Sequence, residues 1–489
     1  MNFRLRGLLS GLLGFLALPA LSACETAPGT GRTIFTGGMG PETEARLGYR
    51  EHRKIVPQFG GAYADPAIDA YVTGIGNLLV KISETPDFEF TFTVLDTPMV
   101  NAFALPGGYV YITRGLLALA DNEAEVAGVL AHEIGHVTAR HSAERYGQTM
   151  AANILGLGLG ILLGSGPATD LYGAVAGVAL RSYSREQEYE SDLLGVRYMS
   201  RAGYDPGAMA TFLTRLLAHG RLEAELRGQP GKADAFDIMQ THPRTADRIA
   251  RAIAEAGAKT VAEPMTAREV YLGKIDGLLY GDDPEQGFVR GRRFLHPELR
   301  FAFEVPRGFR LFNGIKRVRA QGPEGAAIVF GRAKKPSRAP MTVYLTQVWA
   351  EGVRLREVER LTINGMEAAT GHTRMNARSG PVDVRLVAIR YDAANIYRML
   401  FLTPPKATGP LQRALRETTY SFRKLSAAEA AALKPLRLGI HRVRPGETAA
   451  AIAERMPFAD YRLRRFLVLN GLTEGTELSV GQKVKVVTE

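Results

Sequence analysis

The chain has 489 residues, 46% of them hydrophobic and 23% charged, an ordinary globular composition too long for one core, so about three domains are expected. Its single cysteine excludes a disulfide framework and a cysteine metal site. The net charge of +11 comes with no nucleic-acid motif, so it favours anionic surfaces such as lipid head groups or cell-wall polymers, or simply a solvated exterior.

Arg4 and Arg6 followed by the apolar stretch Leu8 to Leu18 read as a signal peptide over residues 1–23, too short to span a bilayer comfortably. It ends in Leu21-Ser22-Ala23-Cys24, which resembles the lipobox of bacterial lipoproteins. That resemblance implies lipidation of Cys24, the alternative being an ordinary signal peptide cut near Ala23. Glu25 stands where an inner-membrane retention signal would have Asp, which points to an outer-membrane lipoprotein facing the periplasm. Residues 24–40 are rich in Gly, Thr and Pro and read as a flexible tether.

A first domain is expected over residues 41–258. Ile68, Tyr71, Ile75, Leu78 and Leu79 recur at helical spacing. Phe88 to Leu95 and Gly108 to Thr113 read as strands, joined by Asn101-Ala102-Phe103-Ala104-Leu105-Pro106. The apolar run Glu125 to Ala131 then leads into His132-Glu133-Ile134-Gly135-His136. On a helix, positions four apart share a face, so both imidazoles can reach one metal ion with Glu133 beside them. The bland alternative is a pair of core histidines satisfied by hydrogen bonds. Residues 151–166, Gly-rich and apolar, are shorter than a membrane span needs and are expected to form a buried or lid-forming helix, membrane contact being the alternative.

A hydrolytic zinc needs three protein ligands and one position open to water. His141 does not complete the pattern H-E-x-x-H-x-x-G-x-x-H, because Ala139 occupies its glycine position and Ser142 its last histidine. A carboxylate from elsewhere is therefore required. Arg185-Glu186-Gln187-Glu188-Tyr189-Glu190-Ser191-Asp192 offers several, and Glu188 and Asp192 lie four apart on one helical face. Glu188 can then bind metal while Asp192 accepts a hydrogen bond from the far nitrogen of a ligand histidine. A solvated charged helix face is the alternative.

These motifs, with Tyr183-Ser184-Arg185 before them and Thr241-His242-Pro243 and Arg248 after, resemble the gluzincin zinc metallopeptidases of the CAAX prenyl protease/HtpX family, and most closely the BepA-like periplasmic branch. The resemblance implies one zinc ion per chain, with Glu188 as its third ligand, Asp192 supporting a ligand from behind and Glu133 as general base. It offers His242 as donor to the oxyanion, or as a cap that keeps the site latent. Asn101 is expected to orient substrate backbone, with an extended peptide adding to the strand edge beside it. His141 reads as a helix-end residue.

Residues 259–286, charged and broken by Pro264, Gly273, Gly281 and Pro284, read as a linker. Residues 287–425 carry short alternating runs (Leu299 to Val305, Ala327 to Phe330, Thr342 to Val348, Val382 to Ile389, Ile396 to Leu402) and end in a helix from Pro410 to Thr418. An α+β domain with an antiparallel sheet is expected there, of unknown function. Residues 436–489 resemble a LysM module, a βααβ unit whose family binds peptidoglycan-type glycans, although Glu447 replaces the usual Asp of its first turn. The fold class expected is thus multidomain α+β, with a mainly helical peptidase domain. The function expected is zinc-dependent endoproteolysis of unfolded or misassembled envelope proteins. A wall-associated chaperone or adaptor is the alternative, and a peptidoglycan hydrolase would rest on the C-terminal module alone.

Overall fold

A computed structural model describes residues 24–150, 183–229, 231, 248, 251, 254, 262–377 and 380–489. Two compact units emerge, Met1–Leu278 with Leu438–Thr488, and Leu279–Arg437. The signal peptide, the apolar segment 151–166 and His242 lie outside the described residues. Among those described, no helix is long and apolar enough to cross a membrane.

The first unit begins with a correction. Residues 24–40 do not form a flexible tether but an antiparallel hairpin of β1 (Cys24–Thr26) and β2 (Thr33–Phe35), with Ala27, Ile34 and Met39 buried. Its Gly and Pro residues serve the turn, Gly31 taking φ +71°. Ion pairs then fasten it: Arg32 donates to both carboxylate oxygens of Glu144 at 2.7 and 2.8 Å, and Arg140 reaches Glu25 and, at 2.7 Å, the Met39 carbonyl.

Helix α1 (Pro41–Gln58) is followed by α2 (Pro66–Lys81), which Asp65 caps by accepting from the amides of Ala67 and Ile68. Ile68, Val72, Ile75 and Leu79 form its buried stripe, while Leu78 stays 40% exposed. Strands β3 (Thr91–Leu95), β4 (Ala102–Leu105) and β5 (Tyr109–Thr113) make a small sheet in the order β3-β5-β4, the first pair parallel and the second antiparallel. The segment read as a mere connection is thus the outer strand β4. Its four residues are all buried, so no polar alternation marked it.

Helix α3 (Arg114–Leu119) leads to α4 (Glu123–Thr138), capped by Asn122 accepting from Glu125 N at 2.9 Å. Helix α5 (Arg185–Arg201) starts in a reciprocal capping box between Ser184 and Gln187. It packs against α4 where Gly135 lies so close that a Cβ there would meet the Ser191 backbone at 3.1 Å. Helix α6 (Gly207–Leu226) also packs on α4, its Met209 lying beside Gly128.

Residues 259–286 also depart from expectation. They include α7 (Arg268–Ile275), whose fully buried Tyr271 donates to the Leu117 carbonyl and whose Arg268 pairs with Asp121 at 2.7 Å. Charge along this stretch marks pairing into the unit rather than a solvated linker.

The C-terminal residues fold as expected into a strand (Leu436–Arg442), two helices (Ala449–Ala453 and Arg462–Asn470) and a strand (Lys483–Thr488). From the last strand the buried Lys485 ammonium donates to the carbonyls of Ala118, Leu119 and Ala120 at 3.1, 2.9 and 2.6 Å. It thereby satisfies the C-terminal carbonyls of α3, which have no partners within their own helix.

The second unit contains a seven-stranded antiparallel sheet. Its neighbours, in order, are Arg310–Phe312, Val318–Gln321, Ala327–Arg332, β9 (Ile396–Thr403), β8 (Gly380–Arg390), β7 (Met366–Ala377) and β6 (Arg356–Ile363). Helix α8 (Pro405–Ser421) packs on one face near a core built on Phe294, Phe301, Phe330, Tyr397 and Phe422. The run Thr342 to Val348, read as a strand, is helical: Met341–Val343 continues into wider turns over Tyr344–Trp349. Met341, Tyr344 and Leu345 are the buried positions, and their i, i+3, i+4 spacing is the helical signal that the β-branched residues between them obscured.

Two outcomes follow. Lys485→Ala should orphan three carbonyls and lower stability by about 3 kcal/mol, seen as a fall in Tm of the full chain. Burial pushes the Glu44 carboxyl up to about 7 despite Arg140 beside it. The folded state then holds this proton more tightly than the unfolded chain, so the group's contribution falls as pH rises from the ordinary carboxyl value toward 7. Glu44→Gln should raise Tm over wild type at about pH 8 and much less at about pH 5.

Candidate metal centre

Helix α4 presents His132 and His136 on one face, and α5 presents Glu188 and Asp192 on the face packed against it. The Nε2 atoms of the two histidines lie 3.0 Å apart, and Glu188 places Oε1 3.5 Å from His136 Nε2 and Oε2 3.7 Å from His132 Nε2. All three residues are buried. A tetrahedral ion with ligand bonds of about 2.0–2.1 Å would hold its donor atoms roughly 3.3 Å apart, so two imidazoles and a carboxylate at this spacing fit zinc. Among the described residues, these are the His, Cys, Asp and Glu side chains close enough to share an ion. Glu133, one position along α4 from His132, is fully buried beside them.

Each imidazole has a distinct support behind it. His132 Nδ1 stands 2.9 Å from Asp192 Oδ1. Arg248 in turn grips Asp192 through Nε at 2.8 Å and a terminal nitrogen at 2.7 Å, and also contacts Glu188. Burial pushes the Asp192 carboxyl up, but His132 and Arg248 outweigh it and hold the group below the usual carboxylate range.

Behind His136 lies His141, with Nδ1 to Nδ1 at 2.8 Å, and His141 Nε2 lies 3.1 Å from Glu190. Burial holds both imidazoles below their usual pKa, so both are neutral near pH 7. One proton arrangement satisfies the chain: His136 Nδ1–H donates to His141, His141 Nε2–H donates to Glu190, and His136 Nε2 keeps its lone pair for a metal. Burial opposes ionisation of Glu190, yet His141, Thr30 and Arg32 bring it down to about 2. The hairpin after Cys24 therefore reaches the back of the site. Tyr183 stacks on His136 with ring centres 3.7 Å apart, and the Arg145 guanidinium covers that tyrosine.

The sequence reading missed the role of His141. It stands at a helix end and outside the candidate ligand set, as expected, but it is fully buried; Arg140, in the left-handed region at φ 55°, follows α4 and turns the chain back beneath His136. No spacing rule announces a partner five residues beyond a ligand, and the signal lies in the turn. Asn101 does sit at the start of β4, which packs against α4. Its backbone exchanges bonds with Thr113 while its buried Oδ1 has no hydrogen-bond partner among the described residues. Cys24 is exposed at the start of β1.

A helix carrying His-Glu-x-x-His beside a small sheet, with a carboxylate from a second helix, defines a metallopeptidase domain. Residues 66–256 match Peptidase family M48 and residues 441–487 match the LysM domain, so the chain carries both. The chain is 33% identical over 220 residues to the beta-barrel assembly-enhancing protease of Escherichia coli (strain K12), a match covering 43% of this chain and 43% of that protein. It is 32% identical over 215 residues to the mitochondrial metalloendopeptidase OMA1 of Schizosaccharomyces pombe, covering 42% of this chain and 59% of that one. The chain thus spans less than two thirds of the length of either relative. Among solved structures, LpqN involved in cell envelope biogenesis of Mycobacterium tuberculosis aligns over 26% of this chain and 83% of its own at 12% identity, with a TM-score of 0.23.

His141→Asn should leave the fold intact by circular dichroism but weaken zinc binding about 10- to 100-fold in competition with a chelating dye, because the tautomer of His136 is no longer set.

Proposed function

We propose that the protein is a zinc-dependent endopeptidase that hydrolyses unfolded or misassembled proteins of the cell envelope. The observation that carries this reading is the buried triangle of His132, His136 and Glu188 with Glu133 alongside. Bound there, zinc supplies Lewis acidity and lowers the pKa of a coordinated water to about 7. Glu133 takes the proton of the attacking water and delivers it to the leaving amine. Asp192 and His141 keep the two imidazoles aimed, and Arg248 keeps Asp192 ionised.

His242 is assigned to the developing oxyanion, or to capping the site in a latent form. The outer strand β4 offers its edge to an extended peptide, with Asn101 at its start assigned to orient the substrate backbone. An extended segment is what an unfolded protein exposes, which supports that substrate class. The location assigned is the periplasm, with Cys24 lipidated at the outer membrane and the LysM domain reaching peptidoglycan. Since β1 begins at Cys24 and is fastened to the body, such an anchor would hold the peptidase close to the lipid surface.

The test is casein cleavage by protein lacking the signal peptide, with zinc content measured in parallel. Wild type should cleave and hold one zinc, Glu133→Gln should hold zinc with activity reduced at least about 1,000-fold, and chelation should abolish activity reversibly. Cleavage that survives both Glu133→Gln and chelation would sink the assignment.

A further inference from the structure

The second unit carries a cleft of about 900 Å³ between helix α8 and one face of strands β6 to β9. Its floor is set by an unusual register: Arg356 of β6 lies opposite His372 of β7, His372 opposite Arg385 of β8, and Arg385 opposite Phe401 of β9. Directly opposed residues share a face, so Arg356 and Arg385 flank His372 in one row; burial and Arg385 hold the imidazole below its usual pKa, so the two guanidinium groups carry the charge there. Arg416 of α8 lines the cleft from above.

The carboxylates nearby answer this charge only in part, Glu359 acting on Arg385 at a distance. Asp383 is taken by Arg374 at 2.6 Å and by Thr408 at 2.7 Å. Glu357 and Glu359 line the cleft but form no ion pair with the row. Arg385 makes one hydrogen bond, from Nε to Thr370 at 3.1 Å, which leaves its two terminal nitrogens for a ligand. Burial, with Arg416 close by, holds this guanidinium below its usual pKa against the opposing pull of Tyr420 and Glu359.

We propose that this cleft binds a phosphate-bearing ligand, its phosphate held by Arg356, His372, Arg385 and Arg416 and its organic part lying beside the exposed Tyr420. A carboxylate is satisfied edge-on by one planar guanidinium. Guanidinium groups arriving from β6, β8 and α8 instead surround a tetrahedral dianion with several acceptor oxygens. The apolar residues of the lining leave room for more than inorganic phosphate. The site is independent of the proposed peptidase chemistry.

The test uses the full chain lacking its signal peptide, in phosphate-free buffer, titrated with inorganic phosphate, with phenyl phosphate, and with phosphatidylglycerol vesicles in a flotation assay. Both soluble probes should raise Tm in a saturable way, phenyl phosphate at lower concentration, and Arg385→Gln should weaken binding at least about tenfold. Vesicle binding with the same Arg385 dependence would assign the phosphate to a lipid head group, and its absence would assign a soluble phosphate ester. Arg356→Gln, at an exposed position, guards against a folding artefact: without phosphate it should melt no lower than wild type. The proposal is overturned if neither probe shifts wild type, if Arg385→Gln shifts equally, or if Arg356→Gln alone lowers Tm markedly.

Discussion

The close packing of α4 on α5 is the contact on which the candidate metal centre depends. Neither helix holds the candidate ligand set alone, since α4 supplies two imidazoles and α5 the carboxylate. Bringing them within a few ångströms requires small residues at the crossing. Gly135 meets the Ser191 backbone, and Gly195 lies against the backbone of His132. A larger side chain at either position would separate the helices and open the triangle.

That packing buries charge, and the rest of the site answers the cost. An ionised carboxylate in a dry interior is stable only with partners. Arg248 neutralises Glu188 and Asp192 together, while His141 and Glu190 form a second relay behind His136. The relay ends at Arg32 and Thr30, so the hairpin following Cys24 is part of the support of the centre. The same economy appears at Glu125, held by Arg215 near the start of α4.

The LysM domain is joined to the peptidase domain through polar contacts that replace missing backbone partners. Lys485 closes the end of α3, Arg268 bridges Asp121 and the Lys483 carbonyl, and Arg464 pairs with Glu225 of α6. The contacts of Lys485 and Arg268 converge around the turn between α3 and α4. A module that might have hung on a strand end is instead a buttress for the start of the helix bearing His132 and His136.

Much of this chain could be read from local pattern, because the relevant physics is local. The spacing of His132 and His136 and the pairing of Glu188 with Asp192 follow from the helix period, while the βααβ order near the C-terminus came from resemblance to a LysM module. The departures share one cause, which is that burial and pairing come from residues distant in sequence. The hairpin over residues 24–40 is ordered by Glu144 and Arg140, α7 by Asp121 and Leu117, and β4 by burial that erases alternation. His141 and the basic row of the second unit belong to the same class. One depends on a left-handed turn at Arg140 and the other on the register of adjacent strands, and neither leaves a mark in the spacing of residues along the chain. Sequence by itself determined which side chains could bind a metal; tertiary structure decided what stands behind them, because second partners are chosen by proximity in space.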